Sequence, residues 1–138
     1  MTTVFRVDDN LYLGSYPVTL QEGFTEHHFD IIINCAKEIK YDKEGFDVYN
    51  YSIIDGDSIS FLENIDDIHD LISVSIENNK KIYVHCAKGL SRSPAVIVYY
   101  LMMNKGYNYC DAINFMEELN PQICIDDEFQ NILSIIDS

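Results

Sequence analysis

Lys81-Ile82-Tyr83-Val84-His85-Cys86-Ala87-Lys88-Gly89-Leu90-Ser91-Arg92-Ser93-Pro94-Ala95-Val96-Ile97-Val98-Tyr99-Tyr100-Leu101 decides how this chain folds. Its head, Lys81 to Cys86, is rich in Ile, Tyr and Val and reads as a buried strand. Its tail, Ser91 to Asn104, is apolar nearly all round, which suits a central buried helix; Gly106 lies just past its end. The join is a short loop in which Gly89 permits backbone conformations that a Cβ would resist. Pro94 falls in the first helical turn, where its missing N–H costs little.

The same alternation continues on both sides. Leu11-Tyr12-Leu13, ended by Gly14, reads as a strand. So do the continuous apolar run Ile31 to Ala36 and the Tyr- and Ile-rich stretch Val48 to Ile54. Ser60-Phe61-Leu62-Glu63 fits a capping box, with Ile65, Ile68, Ile72 and Ile76 following at helical spacing. Ala112, Phe115, Met116 and Leu119 mark a further helix, and Phe129, Ile132, Leu133 and Ile136 the last. Strands alternating with helices predict an α/β fold around a largely parallel sheet. No repeat, linker or low-complexity tract interrupts the pattern, so one domain is expected over residues 1–138.

Charge narrows the function. Nine basic residues against 23 acidic ones give a net charge of −14. Such a surface repels nucleic acid and anionic membranes, and basic partners suit it better. An anion site here must be local, made from backbone dipoles and one or two cations. No apolar run is long enough to cross a bilayer, and the N-terminus lacks a leader pattern; a cytosolic or nuclear protein is expected. The four cysteines, Cys35, Cys86, Cys110 and Cys124, form no C-x-x-C pair and are expected to be reduced thiols. His27, His28 and His69 do not pair into a metal site. No metal or cofactor is expected, and the oligomeric state is not encoded legibly.

The loop after Cys86 carries the chemistry. A helix N-terminus offers unpaired N–H groups and the positive end of its dipole. A loop curling into it aims several N–H groups at one point, a nest for an anion. Cys86 sits at the rim of that nest, where dipoles that favour phosphate also favour a thiolate. Arg92, six residues on, can bring its planar fork back over a bound phosphate. The Gly-Lys-Ser/Thr ending of a nucleotide-binding loop is missing.

His85-Cys86-x5-Arg92-Ser93 closely resembles the signature of the protein tyrosine phosphatase superfamily, and the form H-C-x-x-G-x-S-R-S resembles its dual-specificity branch. The likeness spans nearly the whole chain: Asn10-Leu11-Tyr12-Leu13-Gly14, Ile33-Asn34-Cys35, Ser93-Pro94 with Tyr100-Leu101-Met102-Met103, and Asn120-Pro121 before Phe129. It implies a single-domain phosphatase fold, a central mostly parallel sheet of about five strands flanked by helices. It further implies a protein phosphatase working through a phosphocysteine intermediate on phosphotyrosine, and on phosphoserine or phosphothreonine.

By this resemblance Cys86 is the nucleophile and Arg92 the phosphate clamp. Ala87, Lys88, Gly89, Leu90, Ser91 and Arg92 bind the phosphate, with the Lys88 side chain left in solvent. Ser93 eases departure of the sulfur, and His85 orders the loop from behind. The general acid is Asp55, directly after Tyr51-Ser52-Ile53-Ile54, with Asp57 as runner-up; Gly56 would let that loop move. Cys35 ends a strand expected to lie parallel to that of Cys86, which makes it a possible redox partner. Ile125-Asp126 replaces the family's Pro-Asn, whose Asn braces the phosphate loop. The segment Lys37 to Asp47 reads as an exposed variable loop or as a pocket wall with Tyr41 in contact. The competing functions are a phosphate-binding adaptor without turnover, and a phosphatase of a non-protein substrate such as a phosphoinositide.

Overall fold

A computed structural model describes residues 3–137. Five strands, β1 (Phe5–Asp8), β2 (Leu11–Ser15), β3 (Ile31–Ala36), β4 (Asp47–Ile53) and β5 (Ile82–Cys86), form one sheet in the order β1-β2-β5-β3-β4. All neighbours are parallel except β1 and β2. The helices are α1 (Tyr16–Thr19), α2 (Ser58–Glu77), α3 (Arg92–Asn104), α4 (Tyr109–Leu119) and α5 (Asp127–Ile136), with a 3-10 segment at Glu22–His27. The mostly parallel, helix-flanked sheet expected from the sequence is present. The short edge strand β1, α1 and the 3-10 segment were not legible, being too short to show a period.

β3 and β5 are buried at every position because both faces of the sheet are covered. On one face Ile31, Ile33 and Cys35 of β3, with Ile82, Val84 and Cys86 of β5, pack into the main core beneath α2 to α5. On the other face Ile32 and Tyr83 join Val18, Phe24 and Phe29 in a smaller aromatic cluster. The rings of Phe24 and Phe29 each sit 5.2 Å from that of Tyr83, a spacing that adds about 0.5–1.5 kcal/mol per pair beyond burial. α3 runs through the centre, with Ala95, Val96, Ile97 and Val98 all buried.

One helix start differs from the sequence reading. The N-cap of α2 is Asp57, whose carboxylate accepts from the Ser60 N–H at 3.1 Å. Ser60 therefore lies inside the first turn instead of capping it. Its hydroxyl accepts from Ile54 N at 2.9 Å and donates to the Asp57 carbonyl at 3.1 Å, pinning the end of β4 to the helix.

Candidate active site

β5 delivers Cys86 to the carboxyl edge of the sheet, and α3 begins at Arg92, so the loop between them curls over the sheet edge. The crossing is tight. Gly89 has φ +74°, and a Cβ there would stand 2.6 Å from the Gly14 carbonyl oxygen. That obstacle is main chain and cannot yield, so the position requires glycine. Gly14 is constrained likewise: a Cβ there would meet the Tyr83 hydroxyl at 2.2 Å, which itself donates to Ser15 O at 2.7 Å. The loop is tied from outside by Tyr16 N to Ala87 O (3.2 Å) and Cys124 N to Leu90 O (2.9 Å). Among the described hydrogen bonds, the N–H groups of Lys88, Gly89, Leu90 and Ser91 donate to no backbone acceptor. That is the donor surplus an anion nest needs.

Cys86, only 3 % exposed, lines a cavity of about 330 Å³ with Ala87, Lys88, Leu90, Ser91, Arg92, Glu38, Asp55 and Cys124. Gly89 forms the turn behind it. Ser93, fully buried, donates to the Cys86 sulfur at 3.2 Å. Ser91 does not cap α3 with its side chain; its hydroxyl accepts from Asp126 N at 2.9 Å. Bracing at this point is thus done by the main chain of Asp126, while its carboxylate caps α5 by accepting from Glu128 N at 3.0 Å. This answers the departure from Pro-Asn: the carboxylate serves a helix start and not the phosphate loop.

Arg92 is held by a residue the sequence did not single out. Its Nη1 and Nη2 each donate to one carboxylate oxygen of Glu38 at 2.6 Å, and Nη1 donates again to Ile53 O at 3.1 Å. A guanidinium has five N–H groups. These three bonds leave Nε–H and one Nη2–H, which are adjacent and parallel, the side-on fork that fits two phosphate oxygens. The pairing holds the Glu38 carboxyl down at about 2, through the hydrogen bonds from Arg92, and raises Arg92.

Glu38 is placed by Asn34. That side chain, buried in β3, donates to Asn50 Oδ1 at 2.9 Å and to Ile39 O, and accepts from Ala36 N at 2.9 Å. A buried amide needs such partners, and these bonds tie the turn after β3 to the sheet. The available signal was a polar residue inside an otherwise apolar strand.

His85 is fully buried on the opposite face of the sheet from the Cys86 side chain. Burial pushes its pKa down to about 4, so the ring is neutral at physiological pH. Nδ1 lies 3.0 Å from the Cys86 carbonyl, which can only accept, so Nδ1 carries the hydrogen. Nε2 then accepts from the Tyr41 hydroxyl at 2.8 Å, a phenol that burial keeps protonated. The segment Lys37 to Asp47 is largely exposed, yet Glu38 forms part of the cavity wall, while Tyr41 touches His85 on the other face instead of lining the cavity.

Asp55 is exposed at the cavity wall. It lies in a tight turn closed by Asp57 N to Ile54 O at 3.0 Å, with Gly56 at φ +72°. Glycine meets a turn requirement here, and the Ser60 hydroxyl bonds Ile54 N and Asp57 O on either side of the turn. Asp57, the runner-up, is committed to capping α2. Among the described residues no three His, Cys, Asp or Glu converge as metal ligands, and no helix is long and apolar enough to cross a membrane.

The model of the dual specificity phosphatase catalytic domain matches residues 11–137. The chain belongs to the dual-specificity phosphatase family. Its relatives include protein 123R of Invertebrate iridescent virus 6, named as a candidate tyrosine phosphatase, 34% identical over 115 residues (82% of this chain, 77% of the relative). Slingshot homolog 3 of Mus musculus is 30% identical over 118 residues, 84% of this chain but 18% of that protein. The dual specificity phosphatase OPG106 of vaccinia virus is 29% identical over 103 residues, 73% of this chain and 60% of the relative. Among solved structures, DUSP15 superposes with a TM-score of 0.90 at 16% identity, over 99% of this chain and 88% of that one. A human tyrosine phosphatase-like serine/threonine/tyrosine-interacting protein does so with 0.84 at 22%, over 99% and 96%. Family membership makes this a cysteine-based protein phosphatase domain.

Proposed function

We propose that the chain hydrolyses phosphotyrosine and phosphoserine or phosphothreonine in proteins through a phosphocysteine at Cys86. The observation that carries this is the free side-on fork of Arg92 in the same cavity as the sulfur that Ser93 hydrogen-bonds. The Cys86 thiolate attacks phosphorus, an S–P bond forms, and the ester P–O bond breaks. Asp55 gives its proton to the departing oxygen. Loop N–H groups and Arg92 meet the charge growing on the equatorial oxygens. Water, giving a proton to the Asp55 carboxylate, then attacks phosphorus. The S–P bond breaks as Ser93 donates to the leaving sulfur. Among the described residues no aromatic lines the cavity, so none of them grips a phenyl ring there, which favours acceptance of aliphatic phosphoesters as well.

Asp55→Ala tests the acid. It should lower kcat for phosphotyrosine by roughly 10²-fold and cost much less with an activated aryl phosphate, whose oxygen leaves without a proton. Equal losses on the two substrates, or a larger loss in Asp57→Ala, would move the role elsewhere.

We further propose Cys35 as the resolving thiol of oxidised Cys86. Asn34 pairs with His85 as the last rung between β3 and β5; each cysteine is the next residue of its strand, and both are buried in the core on the helix-covered face. Parallel neighbours lie about 4.8 Å apart, inside the roughly 4.4–6.8 Å Cα range of disulfides. Burial, with Cys86 adding to it, pushes the Cys35 thiol up, so attack depends on proximity and not on acidity. Peroxide oxidises Cys86 to the sulfenic acid; Cys35 sulfur attacks it, S–S forms, S–O breaks, and water leaves. Cys35→Ser should start fully active but recover poorly with dithiothreitol after peroxide. Recovery equal to the parent's, or a peptide map joining Cys86 to Cys110 or Cys124, would remove Cys35 from this role.

A further inference from the structure

Beside the catalytic cavity lies a second hollow of about 150 Å³, and the two share one wall residue, Cys124. Met116, Ile123 and Ile125, all buried, and half-buried Ile113 line it, with Glu117 and Gln130 at the polar edge. The volume is well below the roughly 300–1,000 Å³ of cofactor and drug-sized sites. A space of about 150 Å³ takes a benzene-sized group, which is the scale of one Leu, Ile or Met side chain.

The hollow is fixed relative to the phosphate loop. Cys124 N donates to Leu90 O at 2.9 Å, and Asp126 N to Ser91 Oγ at 2.9 Å. Gln130 Nε2 donates to Ile125 O at 2.7 Å, while its Oε1 accepts from the Tyr109 hydroxyl at 3.1 Å. A peptide whose phosphate lies over Cys86 and whose backbone leaves past Cys124 arrives at this apolar surface. Glu117 at its edge, in a chain of net charge −14, opposes a second phosphate there.

We propose that this hollow is a substrate subsite that takes one apolar side chain near the phosphorylated residue and rejects a second phosphate. The inference rests on the reading of the Cys86 loop as the phosphate site.

The test uses the full chain carrying Cys86→Ser and fluorescently labelled phosphotyrosine peptides of Gly/Ser background, with a single leucine walked along both flanks. One position should gain about tenfold in affinity, as burial of a leucine implies. Phosphoserine at that position should bind more weakly than glycine. Adding Ile113→Asp should make the leucine and glycine peptides bind alike. Adding the surface change Glu117→Lys, which leaves the core untouched, should reverse the phosphoserine penalty. A leucine gain at no position, or one that survives Ile113→Asp in a protein whose melting curve matches the parent's, overturns the subsite. So does a phosphoserine penalty unmoved by Glu117→Lys. Failure of every phosphopeptide to bind would remove the phosphate-site reading, and the subsite with it.

Discussion

A Cys86→Ser protein is expected to fold normally, bind a phosphopeptide and turn over no aryl phosphate above a trace. The exchange keeps the shape at a site only 3 % exposed, and the Ser93 hydroxyl keeps an acceptor where the sulfur stood. What is lost is the nucleophile, because a serine hydroxyl stays protonated at neutral pH without an adjacent base. His85 cannot serve: its Nδ1 hydrogen is spent on the Cys86 carbonyl and its Nε2 on Tyr41. The measurement is initial rate with a chromogenic aryl phosphate beside the melting curve. Turnover within a few per cent of the parent's, from a folded variant, would show that another group attacks phosphorus. The same assay on the parent separates an enzyme from an adaptor that only binds phosphate.

The second large effect is expected from Arg92→Lys. The charge stays, and the ammonium can still pair with Glu38, so the variant should fold. Lysine cannot present two parallel N–H bonds to one phosphate while three others hold the Glu38 carboxylate and the Ile53 carbonyl. Loss of that fork should lower kcat by about 10³-fold, the scale of removing a preorganised donor from a developing oxyanion or phosphoryl group. KM should rise too, since the fork also meets the ground-state phosphate. A kcat within tenfold of the parent's would mean that the loop N–H groups suffice and that Arg92 serves chiefly as an anchor for Glu38. Arg92→Ala is the poorer test, because it would leave the Ile53 carbonyl and the Glu38 carboxylate without their donor and confound activity with folding.

The parts of the fold that were legible share one cause. β3, β5 and α3 are buried on nearly all sides, so composition alone marks them: continuous Ile and Val for the strands, a longer apolar run for the helix. The strand-loop-helix order around Cys86 followed. Edges were less legible. β1 is four residues long with mixed exposure, and the start of α2 was misjudged because Ser60-x-x-Glu63 imitates a capping box two to three residues inside the helix that Asp57 begins.

By itself the sequence determined the spacing that local chain geometry enforces: a cysteine at a strand end, a glycine at the tight crossing, an arginine at the first turn of the next helix. The positive φ of Gly89 and the helix-end dipole act within a few residues, without knowledge of the rest of the fold; the close approach that excludes a Cβ at Gly89 comes from Gly14 on β2 and belongs to the tertiary structure. Only the tertiary structure decided which groups hold them in place. Glu38 reaches Arg92 from 54 residues away, Tyr41 reaches His85 from 44, and Asp126 N braces Ser91 from 35. Surface-type residues such as these have no periodicity to read. Their partners depend on the parallel register that sets the ends of β3, β4 and β5 at one edge of the sheet, and for β3 and β5 that register is fixed by burial of both faces at once.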